Sequence, residues 1–546
     1  MRYELLCLAS ASAGILSHLL YFIRGNKAIH APPWILVFFL VAECFLYTRS
    51  IHYLGALQGF LTATVISLCY FTALFTSIII YRIFFHPLRH FPGPFFAKVT
   101  KFYSPWMARD GKLHERYAEF FETYGDIVRV APNELIVLST DAQQKVHRAS
   151  SRCSKQDTVY EVVHYQGYKN LETVVDRDEH RSRRQVWDKA FNTKALEAYE
   201  TYAREVVYEW LGKMASLQGQ PVNTSLYSLL IPFENMGRMG FSDNFGSIQK
   251  GKEDPMLHYL EVTLGSIGKL GAMYWPIALL NAIGGSSDHV AFQKLACKMV
   301  DKREKIMDEE KEDILKYLIQ DYRSKEPKAM RDHMMIYAEA QALMVAGTDT
   351  IGAALAFAFY VLARDPQVQK KLYAELEPLY GRTMSGEFAN HDLGEAEAPY
   401  LNAIINETMR MYNPTCSNGP RSTPPEGLEV DGVFIPGKVD VYVPIHAMHR
   451  SAKFFREPNK FIPERWTTRP ELIIDKRAYH PFLLGPHTCV GRRIALIVIR
   501  LVLAYTTWYY EFEFAPGEDG VAIDRDAVNG QILKAGKLEC VFTQRA

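Results

Sequence analysis

Apolar residues are spread unevenly along this chain. Their pattern divides it into an N-terminal region and a larger body. Gly59 to Tyr81 runs 23 residues without a charge, long enough to cross a bilayer as a helix. Leu5 to Ile23 is a second such run, with His18 its one titratable base, and Pro33 to Tyr47 is a shorter third that carries Glu43. Residues 1–84 are therefore expected to form a membrane anchor with up to three spans, at about 5–23, 33–47 and 59–81. A cleaved signal peptide is the rival reading of the first run, because ASASA (Ala9–Ala13) offers small residues. Only LLCL (Leu5–Leu8) precedes that site, and apolar residues continue beyond it, unlike the usual signal.

Basic residues set the direction. Arg24 and Lys27 follow the first run, and Arg82, Arg89, Lys98 and Lys101 follow the third. Three spans would put both groups in the cytosol and the N-terminus in the lumen. Arg49, between the second and third runs, counts against this order. With 33–47 outside the bilayer the topology changes.

HPLRHFPGPFF (His86–Phe96) cannot continue a helix, since Pro87, Pro92, Pro94 and Gly93 interrupt it. It predicts a stiff connector at 85–100, with the globular body at 101–546. From about 110 to 415 the apolar period is mostly helical. Ile336 to Leu362 is apolar on nearly every side, which predicts a central buried helix. LEVDGVFIPGKVDVYV (Leu428–Val443) alternates instead, with a turn at Asp431–Gly432 and a break at Pro436–Gly437, which predicts short strands. After Gly491, RRIALIVIRLVLAYTTWYY returns to a helical pattern. The fold class is mainly α with small β sheets, preceded by transmembrane helices. No internal repeat or low-complexity tract interrupts it.

Composition narrows the function. Lys and Arg number 62 against 61 Asp and Glu, a formal charge of +1, so no bulk charge favours nucleic acid. The eight cysteines are scattered, with no C-x-x-C pair. That excludes a disulfide framework and a zinc ribbon, and it suits a reducing compartment. Two N-x-S/T sequons, at Asn223 and Asn406, carry no weight for a cytosolic body.

FLLGPHTCVG (Phe482–Gly491) carries the candidate chemistry. Gly485 permits a tight turn at positive φ, and Gly491 permits a close approach to the backbone. Cys489 is then expected at a helix N-terminus, where N–H groups and the helix dipole favour a thiolate. A thiolate facing an apolar pocket can hold haem iron. A buried structural cysteine is the plainer reading of this residue alone. AGTDT (Ala346–Thr350) places glycine and threonine inside the long apolar helix, where they loosen its hydrogen bonds. A kink or small-residue contact is the plain reading there, and an oxygen-binding groove with a proton relay is the functional one. ETMR (Glu407–Arg410) alone reads as a surface ion pair, and HRSRRQVWDKAF (His180–Phe191) alone reads as a solvated basic face.

Together these stretches resemble the cytochrome P450 family, in its order, from about residue 85 to the C-terminus. FLLGPHTCVG fits the signature F-x-x-G-x-(R/H)-x-C-x-G at every defined position, with Leu483 where a small residue is usual and His487 where arginine is usual. The resemblance implies that Cys489 is the iron ligand of a haem b, with Phe482 shielding the sulfur and His487 facing a propionate. AGTDT fits (A/G)-G-x-(D/E)-T, which implies Thr350 and Asp349 as the proton relay for dioxygen. FREPNKFIPERW (Phe455–Trp466) implies that Arg465 joins Glu407 and Arg410 in a buried structural network. His180 and Arg184 resemble the W-x-x-x-R helix, with histidine in the tryptophan's place, and both are implied at haem propionates, as is Arg421 in NGPRSTPP. The family also implies pocket walls at Tyr160–Tyr168, Gln341–Ala346, Thr415–Gly419 and near Ile532.

YRIFFHPLRHFPGP resembles fungal microsomal members, and three apolar segments exceed their usual single anchor. The combination is similar to a fungal secondary-metabolism subgroup that includes tryprostatin-type indole alkaloid hydroxylases. The implied function is a membrane-bound monooxygenase of the endoplasmic reticulum, with its catalytic domain in the cytosol. It would use O2 and a lipophilic small molecule, with NADPH electrons delivered by an NADPH–cytochrome reductase and cytochrome b5 as an optional second donor. Rival readings are a haem-thiolate isomerase, dehydratase or peroxygenase, a membrane receptor or transporter, and a non-catalytic haem-binding membrane protein. The intact Thr350 argues against the isomerase-type group. The full motif series argues against a receptor or transporter, and Asp349 with Thr350 argues against a non-catalytic carrier.

Overall fold

The computed structural model describes residues 3–24, 32–160, 164–271, 273–282, 284–306, 311–382, 386–416 and 419–545. Three helices open the chain: α1 (Tyr3–Leu20), α2 (Pro32–Leu54) and α3 (Ala56–Ile80). Both α1 and α3 are long and apolar enough to cross a membrane. They run parallel, because Ser10 donates to the Ile66 carbonyl at 2.7 Å and His18 meets Ser77 at 2.8 Å. A Cβ on Gly14 would lie 2.4 Å from the Tyr70 carbonyl oxygen, so a small residue is required at this contact. Helix α2 runs antiparallel to α3. Phe39 touches Phe71, Glu43 accepts from Ser67, and Tyr47 touches Phe60. The middle helix therefore lies along most of α3 and exceeds the expected 33–47 segment at both ends.

The connector packs against the body. The Arg129 N–H donates to the Pro92 carbonyl at 2.7 Å, and its guanidinium donates to the carbonyls of Arg82 and Pro132. A Cβ on Gly93 would meet the Arg129 carbonyl at 2.2 Å, and Gly93 has φ of 152°.

The body is mainly helical, with twelve short strands among the described residues. These are β1 (Ile127–Ala131), β2 (Glu134–Val137), β3 (Ser154–Lys155), β4 (Pro221–Asn223), β5 (Arg421–Ser422), β6 (Leu428–Val430), β7 (Val433–Ile435), β8 (Asp440–Tyr442), β9 (Tyr510–Phe514), β10 (Val528–Asn529), β11 (Leu533–Lys534) and β12 (Glu539–Gln544). The largest sheet has the order β1-β2-β8-β5-β3. The alternating stretch 428–443 forms β6, β7 and β8 as expected, with Asp431 (φ 48°) and Gly432 (φ 78°) turning the β6–β7 hairpin. The range 110–415 is mostly helical as expected, and the hairpin of β1 and β2 and the short β3 and β4 are the strands it also holds.

The expected central helix spans His333–Arg364, and two thirds of its apolar window is buried. It is a core helix despite a length that would cross a bilayer. The helix Thr224–Phe241 crosses it at two glycines. A Cβ on Gly347 would lie 2.0 Å from Met236 Sδ, and one on Gly352 would lie 3.2 Å from the Ser228 carbonyl. The plain reading of Gly347, a small-residue contact, is therefore correct. The helix Arg492–Tyr509 packs against the central helix from another side. Eleven of its residues are buried, so it holds whatever precedes it at a set depth in the core.

Candidate active site

Gly491 caps the N-terminus of helix Arg492–Tyr509, and Cys489 lies two residues before that cap. The Cys489 N–H donates to the Phe482 carbonyl at 3.0 Å, closing the loop that leads to the helix. Gly485 has φ of 70°, and a Cβ there would strike the His147 carbonyl at 2.2 Å. Only glycine fits this turn. Leu483 has φ of 58°, a conformation that costs an L-residue about 1–2 kcal/mol. Strain is therefore stored at the position where the sequence departs from its resemblance.

Cys489 is solvent-accessible, yet burial raises its thiol pKa. Both hold because the sulfur faces a space inside the protein. Backbone N–H groups of Gly491 and Arg492 and the Arg184 cation act the other way. The expected bias toward thiolate is thus present but outweighed by burial, and a coordinated metal would reverse that balance outright. Gly491 does not serve a close protein approach, since a Cβ there meets only Cys489 Sγ, at 3.9 Å. The Phe482 ring packs at the edge of the core, with the Arg492 guanidinium 5.7 Å above it.

The helix Arg177–Lys189 holds the loop from the side. Arg184 donates to the Thr488 carbonyl at 2.6 Å and to Asp188 at 2.7 Å. Its adjacent Arg183 is buried and pairs with buried Glu339 of the central helix at 2.9 Å. The basic stretch is therefore only in part a solvated face: Arg181 and Lys189 are exposed, and Arg183 is buried. His180 Nε2 and His487 Nδ1 are 3.1 Å apart. Burial, with Lys155 and Arg421 nearby, pushes the His180 pKa down to about 4 and that of His487 to about 2. Both imidazoles are neutral, so one donates and the other accepts. Arg421 Nη1 donates to the Tyr160 hydroxyl at 3.0 Å and to the carbonyls of Gly419 and Pro420 at 2.9 and 3.0 Å.

On the central helix, Ala346 is exposed although Met344 and Thr348 on either side are buried and its nearest neighbours are half-buried. Thr350 Oγ1 donates to the Ala346 carbonyl at 2.6 Å, the back-bond that loosens a helix turn. Burial pushes the Asp349 carboxyl up to about 7, with Lys534 opposing the shift and Glu261 adding to it. Tyr160 is buried, so it presents no open wall. Ile532 and Thr415 are half-buried, and Gln341 turns back to the Tyr337 carbonyl. Residues 161–163 and 417–418 of the expected walls lie outside the described residues.

Glu407, Arg410 and Arg465 come together with no exposed surface. Glu407 Oε1 accepts from Arg410 Nη2, Arg465 Nε and the Ile462 N–H, at 2.9, 2.9 and 3.0 Å. Its Oε2 accepts from Arg410 Nε and Trp466 Nε1, both at 2.9 Å. Trp466 completes the network and was not foreseen.

Sequence reasoning also missed Lys155, a buried cation directly opposite Arg421 across β3 and β5. A separate buried group, His114, Cys416 and His446, has donor atoms within 4.8 Å of one another. Its two imidazoles meet edge to face at 4.7 Å, and burial pushes the Cys416 thiol up to about 12. This is the pattern of a neutral packed cluster.

The residues fit a haem. A single thiol faces inward at a helix N-terminus, and a group of cations and neutral imidazoles lies nearby. Such an arrangement within a mainly helical body defines a thiolate-ligated haem protein. The cytochrome P450 family model matches residues 92–539, and the chain belongs to that family. It is 32% identical over 547 residues to the cytochrome P450 monooxygenase FCK2 of Fusarium pseudograminearum, covering 97% of this chain and 96% of that protein. It is 30% identical to the cytochrome P450 monooxygenase phqL of Penicillium fellutanum, covering 98% and 94%. It is 32% identical to tryprostatin B 6-hydroxylase of Aspergillus fumigatus, covering 93% and 91%.

Proposed function

We propose that this oxidoreductase is a membrane-anchored monooxygenase that inserts one atom of O2 into a lipophilic intermediate of fungal secondary metabolism. Cys489 is its haem-iron ligand. Electrons come from NADPH through a reductase, with cytochrome b5 as an optional second donor. The observation that carries this reading is the inward-facing Cys489 at the start of a buried helix, in a body whose central helix retains Asp349 and Thr350. When bound, the haem supplies reductive activation of dioxygen.

The protein's own residues have local tasks. The N–H groups of Gly491 and Arg492 hold charge on the Cys489 sulfur. Arg184 holds the Thr488 carbonyl and so fixes the loop. Thr350 spends its proton on the Ala346 carbonyl, which leaves its oxygen lone pairs free to accept. Asp349 keeps a proton up to a pH of about 7 and can deliver it inward. His180 and Arg421 would hold the haem's carboxylate side, while Glu407, Arg410 and Arg465 form a buried structural network.

Residues 1–84 form the anchor, 85–100 the connector and 101–546 the catalytic body. Helix α3 packs against both others, parallel to α1 and antiparallel to α2, which supports three spans of alternating direction. With the basic residues Arg82, Arg89, Lys98 and Lys101 on the cytosolic side, the N-terminus is lumenal and the body faces the cytosol at the endoplasmic reticulum membrane. Beside the anchor, Phe95, Phe96, Phe102 and Trp106 are exposed, and Phe102 lies 6.5 Å from Trp275. This aromatic surface suits contact with the bilayer.

The test is Cys489→Ala in the full chain. The thiolate-type carbon monoxide spectrum of the reduced protein should disappear. Its retention would remove Cys489 from the iron.

A further inference from the structure

Three stretches far apart in the chain bring donor atoms together at one buried point. His114 is the second residue of the helix Leu113–Tyr124, His446 is the second of the helix Ile445–His449, and Cys416 follows the helix Pro399–Met411. They are 5%, 8% and 1% exposed, and one donor atom from each lies within 4.8 Å of the others. The His446 N–H donates to the Cys416 carbonyl at 3.0 Å, which fixes two of the three stretches to each other.

Packing as neutral side chains leaves part of this cluster unused. His114 Nδ1 is buried without a hydrogen-bond partner, a condition that folded proteins normally avoid. The other ring nitrogen, Nε2, lies 3.8 Å from Oε1 of Glu115. One ring nitrogen buried and unbonded, with the second beside a carboxylate, is the arrangement of a metal-ligating histidine. The Cys416 thiol makes a weak contact of 3.8 Å to the Asn413 carbonyl. Burial keeps both imidazoles unprotonated, the form that ligates a metal.

We propose that His114, Cys416 and His446 bind one Zn2+ ion, as a structural site separate from Cys489. One thiolate and two imidazoles suit zinc, with a water as the fourth ligand. Bonds of about 2.0–2.3 Å set tetrahedral donors about 3.3–3.6 Å apart, so the group closes by about 1 Å around the ion. The Cys416 S–H bond breaks as the Zn–S bond forms. The proton passes to solvent, and no electron moves. Glu115 supplies counter-charge beside the His114 ring. The ion ties Thr415 and the residues after Cys416, an expected wall of the substrate pocket, to two helices of the body.

The test uses the full-length, haem-loaded protein in detergent, equilibrated with zinc chloride and freed of the excess. Elemental analysis should approach one zinc per polypeptide. X-ray absorption at the zinc edge should show one sulfur at about 2.3 Å and two imidazole nitrogens at about 2.0–2.1 Å. Cys416→Ser should carry at least tenfold less zinc, because the thiolate ligand is gone. Cys44→Ser, at an exposed cysteine of α2, should keep the full amount.

Circular dichroism checks that each variant is folded. If Cys416→Ser does not fold, the wild-type zinc content and absorption spectrum decide the matter alone. Zinc below about a tenth of an ion per chain, zinc with no sulfur neighbour, or full zinc in folded Cys416→Ser would overturn the proposal. Zinc is counted against polypeptide, so the outcome does not depend on the haem reading.

Discussion

Replacing Glu407 by alanine should cost the catalytic body about 3–5 kcal/mol, the usual consequence of leaving buried charge without its partner. The substitution removes one carboxylate and five hydrogen bonds. It strands two guanidiniums with no exposed surface. Carbonyl groups soften the loss: Arg410 still bonds those of His449 and Pro458, both at 2.7 Å, and Arg465 that of Arg456 at 3.0 Å. Carbonyls supply partial charge only, so the deficit remains. At about 2.1 cal/mol/K per residue, a body the size of the matched segment 92–539 unfolds with an entropy near 0.9 kcal/mol/K. The midpoint should therefore drop by about 3–5 °C. Trp466→Phe removes one of the five bonds and should cost about 1.5–3 kcal/mol, since its acceptor is charged. Differential scanning fluorimetry of the haem-loaded protein reads both. A Glu407→Ala midpoint within 1 °C of wild type, or a larger loss for Trp466→Phe than for Glu407→Ala, would refute the reasoning.

The remaining predictions concern Asp349 and Leu483. Burial raises the Asp349 pKa to about 7, so its proton is present below that pH and lost above it. The fraction of NADPH oxidised without product should rise as pH passes through 7, and Asp349→Asn should flatten that rise; an unchanged profile in the variant would separate Asp349 from proton delivery. By linkage, the same shift stabilises the fold fully below a pH of about 4, and the contribution fades as pH rises through 7. At Leu483, glycine should relieve about 1–2 kcal/mol of left-handed strain, offsetting the lost leucine contacts. Leu483→Gly should stay within about 1 kcal/mol of wild type in thermal or denaturant unfolding, where deleting an unstrained core leucine costs about 2–5. A loss above about 2 kcal/mol would show that the loop holds Leu483 without strain.

Much of the site was legible because its residues carry unusual chemistry at short spacing. A cysteine between glycines before an apolar helix, and an acid–threonine pair inside another, stand out against their surroundings. So does the partnership of Glu407, Arg410 and Arg465, through two local motifs in series. Lys155 was hidden because its meaning lies in a strand pairing with Arg421, far along the chain. The Leu483 strain was hidden because φ is set by the loop that Gly485 and Cys489 close, not by the residue itself. The β1–β2 hairpin was masked by helical stretches on both sides. His487 was readable as a position but not as a state. Its pairing with His180, and the burial that lowers its pKa, exist only in the folded chain.

Arg129 gives the anchor and the body a common frame. Its backbone grips Pro92, and its guanidinium grips the carbonyl of Arg82, at the foot of the third helix. The join behaves as a bracket, not a tether. Swivelling the body would break several bonds made by one fully buried side chain, so the body keeps a set angle to the third helix. Any force that tips the third helix is then passed to the body through one guanidinium, so the anchor segment and the catalytic body move as a single lever.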